Sequence, residues 1–143
     1  MGERFGVCVI GCGAMGGGHA GAWQARADAS VVSVFDPQEG RMAALAETTG
    51  ATACQSWRDA VLQDGVNVVS VCTPVCHHSE VACFAAQNGR HVLTEKPIAL
   101  TLEQAQEMIA AARDNDVLLS VSLQYRGFYR NRKYRELFEA GQF

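Results

Sequence analysis

The sequence predicts an α/β fold: a doubly wound, parallel, six-stranded Rossmann sheet with strand order 3-2-1-4-5-6. Three observations carry that prediction. Short apolar, β-branched runs alternate with helical stretches of roughly 10–15 residues along the chain. A glycine-rich turn, Gly11-Cys12-Gly13-Ala14-Met15-Gly16, separates the first strand from the first helix. An acidic residue, Asp36, closes the second strand.

The elements follow in order. Residues 4–11 form an apolar run bounded by glycine, as expected of a buried strand. A helix over 14–26 opens inside the glycine-rich segment, and 30–36 is a β-branched strand. The helix over 38–49 stops before Gly50, a residue suited to the left-handed C-terminal position. Residues 51–55 read as a short strand, and Ser56 caps a short helix to about residue 62. The strand over 66–73 is halted by Pro74, and the helix over 77–88 by Gly89. The strand over 91–96 ends at Pro97. Thr101 with Gln104 makes a capping box for a helix to about residue 115. A strand over 117–123 and a helix over 128–140 complete the chain. Strands that alternate with helices imply right-handed crossovers and a parallel sheet. Near-continuous apolar strands fit a sheet covered on both faces.

The 143 residues are enough for one domain that buries about 70% of its unfolded surface. Hydrophobic residues make up 48% and charged residues 19%, which argues against disorder. The net charge of −3 gives no electrostatic case for nucleic acid. The charge is uneven, because residues 124–143 carry +3 through five basic and two acidic side chains. That segment reads as a solvated helix face, or else as a surface for phosphate or a partner. No apolar run approaches the 18 or so residues of a membrane span. The N-terminus shows no secretory signal pattern. None of the six cysteines forms a C-x-x-C pair, and adjacent His77 and His78 lack a third ligand, so no metal site is expected. A reducing, cytoplasmic setting is expected.

The glycine-rich turn has the G-x-G-x-x-G form in its required strand–turn–helix context. Gly11 permits the turn, Gly13 leaves room for a pyrophosphate, and Gly16 lets the helix pack against the strand. The helix N-terminus around Ala14 and Met15 then offers free N–H groups to an anion. Asp36, 20 residues beyond Gly16, suits the hydroxyls of an adenosine ribose and repels a 2′-phosphate. NAD is therefore expected over NADP. His19 reads as a packed or surface histidine rather than a catalytic one.

Ligands of open α/β sheets bind at the carboxyl ends of the strands. Those ends carry Thr73 and Pro74 with His78 beyond, then Glu95, Lys96 and Pro97, then Tyr125 and Arg126. Lys96 is the candidate catalytic residue, able to hydrogen-bond a substrate hydroxyl and move its proton. The competing reading is a surface lysine paired with Glu95. His78 suits a cofactor contact or a helix cap.

The loop GCGAMG, Asp36, the segment CTPVCHH and above all GRHVLTEKPIAL resemble the N-terminal domain of the Gfo/Idh/MocA oxidoreductases. The resemblance implies that Gly11, Gly13, Ala14, Met15, Gly16 and Asp36 bind the dinucleotide. It implies that Thr73, Pro74 and His78 line the nicotinamide side, and that Glu95 and Lys96 lie beside nicotinamide and substrate. It further implies a small polyol, sugar or related hydroxy compound as substrate, and a homo-oligomer. Residues 1–123 are expected to be the dinucleotide domain and 124–143 a connector. The family's C-terminal α/β domain, with its further catalytic groups, is expected to be absent from this chain. A stand-alone NAD-binding, sensing or partner-binding module remains the alternative. Tyr125, Phe128, Tyr129 and Phe143 are expected on the apolar surface that would face the second domain.

Overall fold

The structure is a computed structural model and describes residues 4–142. The expectations for the extreme N-terminus and for Phe143 lie outside the described residues. Six parallel strands form one sheet in the order β3-β2-β1-β4-β5-β6. In sequence they are β1 (Phe5–Ile10), β2 (Ala29–Phe35), β3 (Thr52–Ala53), β4 (Val68–Val71), β5 (His91–Thr94) and β6 (Leu119–Val121). The helices are α1 (Ala14–Gln24), α2 (Glu39–Thr49), α3 (Trp57–Leu62), α4 (His78–Gln87), α5 (Leu102–Asp114) and α6 (Tyr129–Glu139). Single 3₁₀ turns at Val75–His77 and Gln124–Arg126 lead into α4 and toward α6.

The predicted order is the observed one, and the differences lie at element ends. The strand expected over 51–55 shrinks to Thr52 and Ala53, both exposed at the sheet edge. The strand expected over 66–73 narrows to Val68–Val71, although the Asn67 and Cys72 amides still donate to the Gly6 and Ile10 carbonyls of β1 at either end. The caps are those the sequence signalled. The Ser56 side chain accepts the Asp59 amide, the Thr101 side chain accepts the Gln104 amide, and Gly50 closes α2 at φ 73°.

Alternation along β1 divides the core. Val7 and Val9 face α1 and α2, packing with Val31, Val34, Val68 and Ala20. Cys8 and Ile10 face the opposite side, packing with Val69 and Val71 of β4 and with Ala60, Val61, Val81, Ala85 and Met108 of α3, α4 and α5. The period of two sends successive side chains to opposite faces, so each central strand serves both layers. At the far end of the chain, Tyr125, Phe128 and Tyr129 are 68%, 47% and 74% exposed, leaving α6 largely unpacked.

α1 approaches the sheet at its first turn. A Cβ on Gly16 would collide with the Gly11 carbonyl oxygen, whereas one on Gly17 would meet nothing within 4 Å. Gly16→Ala is therefore expected to lower stability by about 1–3 kcal/mol through overpacking. Gly17→Ala is expected to raise it by up to about 1 kcal/mol through chain entropy. Urea unfolding of the two variants checks both signs.

Candidate dinucleotide site

The carboxyl ends of β1, β2 and β4 surround a cavity of about 670 Å³. Its floor is the turn between β1 and α1. Gly11 takes φ +95°, which a side chain would strain, and so reverses the chain directly after β1. Gly13 caps α1 with no side-chain hydrogen bond, and no acidic residue occupies the first turn. The first amides of α1 thus have neither an intrahelical acceptor nor a capping group, and they carry the positive end of the helix dipole. At Gly13 the nearest atom to an added Cβ is Arg41 Nη1, 4.0 Å away, so the cradle above the turn is open.

Asp36 is almost fully buried at the end of β2. Its Oδ2 accepts the Cys12 amide at 2.8 Å and its Oδ1 accepts the Gln38 amide at 2.8 Å. One carboxylate therefore ties the glycine-rich turn to the start of α2. Each oxygen keeps further lone-pair capacity for an incoming hydroxyl. Burial, then the nearby Asp36 charge, pushes the Cys12 thiol up to about 12, so it stays protonated. Burial acts likewise on Cys72, also raised to about 12.

The opposite wall comes from β4 and the segment after it. Thr73 and Pro74 line the cavity, and the Thr73 hydroxyl oxygen is buried without a hydrogen-bond partner among the described residues. A buried unsatisfied hydroxyl is costly and is ordinarily met by a bound group. The open Gly13 cradle, the uncapped helix start, the Asp36 carboxylate and this hydroxyl fit a dinucleotide. No group of three or more potential metal ligands occurs among the described residues.

The structure brings Gly11, Gly13, Ala14, Met15, Asp36, Thr73 and Pro74 to this cavity. Gly16 lies beneath it as a packing residue. His78 is 1% exposed, with Nδ1 3.0 Å from the Pro97 carbonyl and Nε2 2.9 Å from the Thr73 carbonyl. It joins the segment after β4 to the turn after β5. Lys96 stands exposed at that turn, and the Lys96–Pro97 peptide is cis. Glu95 does not pair with the Lys96 ammonium. Its carboxylate faces His19 at 3.1 Å and accepts the Lys96 amide at 3.2 Å. His77 and Arg41 also line the cavity, as do Trp57 and Glu80, which the sequence did not signal. Trp57 and Glu80 come from helices, where no glycine motif or strand end marks a ligand.

Burial pushes the Glu95 carboxyl up, but hydrogen bonds from Ser122, His19 and the Lys96 amide outweigh it, and the net shift is downward. A folded-state value below the unfolded one stabilises the protein above the unfolded carboxyl pKa of about 4.3. That contribution is lost as pH falls through the lower, folded value. Native protein is expected to lose stability over this acid window, and Glu95→Gln to show a flatter acid limb. Thermal melts from pH 6 to 3 measure the difference.

Fold and site together define a dinucleotide-binding Rossmann domain of the doubly wound class. The chain belongs to the Gfo/Idh/MocA family: the model described as "Oxidoreductase family, NAD-binding Rossmann fold" matches residues 5–123. It is 35% identical over 134 residues to D-glucoside 3-dehydrogenase of Escherichia coli, covering 91% of this chain and 38% of that protein. It is 32% identical over 137 residues to myo-inositol 2-dehydrogenase of Thermotoga maritima, covering 94% and 40%. The WlbA dehydrogenase of Bordetella pertussis, solved with NADH and UDP-GlcNAcA, superposes with a TM-score of 0.91 at 29% identity, covering 99% of this chain and 41% of that one. A 3-ketoreductase of Actinomadura kijaniata, solved with NADP and TDP-benzene, gives a TM-score of 0.90 at 26% identity, covering 97% and 43%. The chain thus spans about two fifths of each of these proteins and corresponds to their N-terminal part. The fold and family support a nicotinamide dinucleotide cofactor.

Proposed function

We propose that this chain is the NAD-binding part of an oxidoreductase that moves hydride between nicotinamide and a polyol, sugar or related hydroxy compound. The observation that carries the reading is the open cradle at Gly13 beside the Asp36 carboxylate, at the switch between the sheet's two halves. The first-turn amides of α1 hold the diphosphate, and Asp36 accepts the adenosine ribose hydroxyls. The same carboxylate opposes a 2′-phosphate, which favours NAD over NADP. Thr73 and Pro74 form the wall on the nicotinamide side, and Thr73 supplies a hydroxyl already stripped of water. His78 and Glu95 shape the backbone at that wall.

Bound nicotinamide supplies the hydride chemistry. Lys96 meets the substrate hydroxyl, hydrogen-bonds its oxygen, and takes or returns its proton. Among the described residues its ammonium has no ion-pair partner, which leaves it available for that bond. Relatives named for glucosides and inositols support the substrate class. Residues 1–123 form the dinucleotide domain and 124–143 a connector. The exposed Tyr125, Tyr129 and Phe138 suit a homo-oligomer, and six free thiols suit a reducing cytoplasm.

A second reading, a binding module without catalysis, is favoured by Lys96 standing in solvent with no ion-pair partner among the described residues. Turnover with inositols and aldoses separates the two.

Calorimetric titration tests the cofactor assignment. NAD(H) is expected to bind about tenfold or more tightly than NADP(H), reflecting one unfavourable charge contact. Asp36→Ala is expected to weaken NAD(H) and narrow that ratio, with some loss of stability because Cys12 and Gln38 lose their acceptor. Equal affinities in the native protein overturn the assignment.

Static light scattering checks self-association. A mass that rises with concentration is expected, and a strict monomer counts against it.

A further inference from the structure

Beneath α1 a chain of polar groups runs from the helix to the Lys96 turn. Trp23 Nε1 donates to Ser70 Oγ at 3.0 Å. Ser70 Oγ lies 3.4 Å from His19 Nδ1. His19 Nε2 lies 3.1 Å from Glu95 Oε1, and Glu95 Oε2 accepts the Lys96 amide at 3.2 Å. Ser70 is fully buried, and the His19 and Glu95 side chains are only 10% and 7% exposed. These groups have little water to turn to, so the donors and acceptors must match one another.

The matching has one direction. An indole N–H can only donate, so the Ser70 oxygen accepts from Trp23 and has its own hydrogen to give onward. The Glu95 carboxylate can only accept, so His19 Nε2 carries a ring proton and donates it to Oε1. Ser70 Oγ, with one proton and two lone pairs, meets His19 Nδ1 on the other side of the ring, and the chain of contacts ends on a carboxylate whose second oxygen holds the main chain at Lys96.

We infer that His19 is a positioning residue for Lys96: as the Nε2–H tautomer it fixes the Glu95 carboxylate that anchors the Lys96 backbone. The helix that begins with the phosphate-binding turn is thereby tied to the strand end that presents the lysine. His19 lies three residues beyond Gly16, so the tie starts within one turn of the cofactor cradle. The role depends on the reading of Lys96 as the substrate-side lysine. The geometry of the tie itself does not.

The test uses the chain's composition. It has two lysines, Lys96 and Lys133, and two tryptophans, Trp23 and Trp57. With ¹⁵N-lysine and ¹⁵N-tryptophan labelling, two lysine backbone amide signals appear beside the tryptophan signals, and the Lys96 amide reports its bond to Glu95 directly. His19→Leu is expected to move the Lys96 signal and speed its hydrogen exchange about fivefold to tenfold, the loss of one hydrogen bond. Lys133 and the Trp57 indole stay in place. His19→Gln, whose side-chain amide can donate to Glu95, restores the Lys96 signal. An unmoved Lys96 amide in folded His19→Leu overturns the inference, as does a folded His19→Gln that fails to restore it. Should the leucine variant not fold, ring ¹⁵N shifts of native His19 decide: protonated Nδ1 in place of Nε2 overturns the relay. None of these measurements contains cofactor. Failure of NAD(H) to bind removes the functional reading alone, and an indifferent Lys96 amide removes this one alone.

Discussion

The contact between Gly16 and the Gly11 carbonyl is the constraint on which the rest of this molecule depends. It lets the first turn of α1 settle against the end of β1, closer than any side chain allows. From that contact follow the aim of the helix start, the open space above Gly13, and the reach of His19 to the strands beneath. A helix held further from the sheet would still cover the core. It would neither present its amides over the switch in strand order nor bring an imidazole to Glu95. The packing of α1 and the opening of the cavity above its first turn are both served here by one missing Cβ.

Asp36 and Glu95 show how a buried carboxylate organises backbone. Each is almost inaccessible and each spends its oxygens on main-chain amides: Cys12 and Gln38 for Asp36, Lys96 for Glu95. Such bonds are charge-assisted and offset the cost of burying the charge. Asp36 thereby fixes the glycine-rich turn while lining the cavity beside it. Glu95 fixes the lysine turn while its other oxygen is held by His19. His78 plays a comparable part between the Thr73 and Pro97 carbonyls. The loops at the carboxyl ends of the strands are therefore set from below, by groups that scarcely see solvent.

Much of this was legible in the sequence. Strand order followed from alternating elements, because right-handed crossovers leave few other arrangements. Gly11, Gly13, Asp36, Thr73 and Pro74 were found because glycine spacing and strand ends are local signals, and all five line the cavity. Trp57 and Glu80 were missed because their helices carry no local mark of a ligand. The competing reading of Lys96 as a surface lysine paired with Glu95 was a neighbour argument. The pair does not form because Glu95 is buried against His19 while Lys96 is exposed.

The sequence by itself determined the periodicities, the turns and the caps, since each depends on residues a few positions apart. It thereby settled the α/β class, the sheet order and the place of the glycine-rich turn. Tertiary structure alone decided the partners of buried polar groups. His19 meets Glu95 across 76 positions, and Ser70 meets Trp23 across 47. Such pairs arise only when a crossover lays one helix over particular strands, and a buried donor must then take whichever acceptor the packing places in reach.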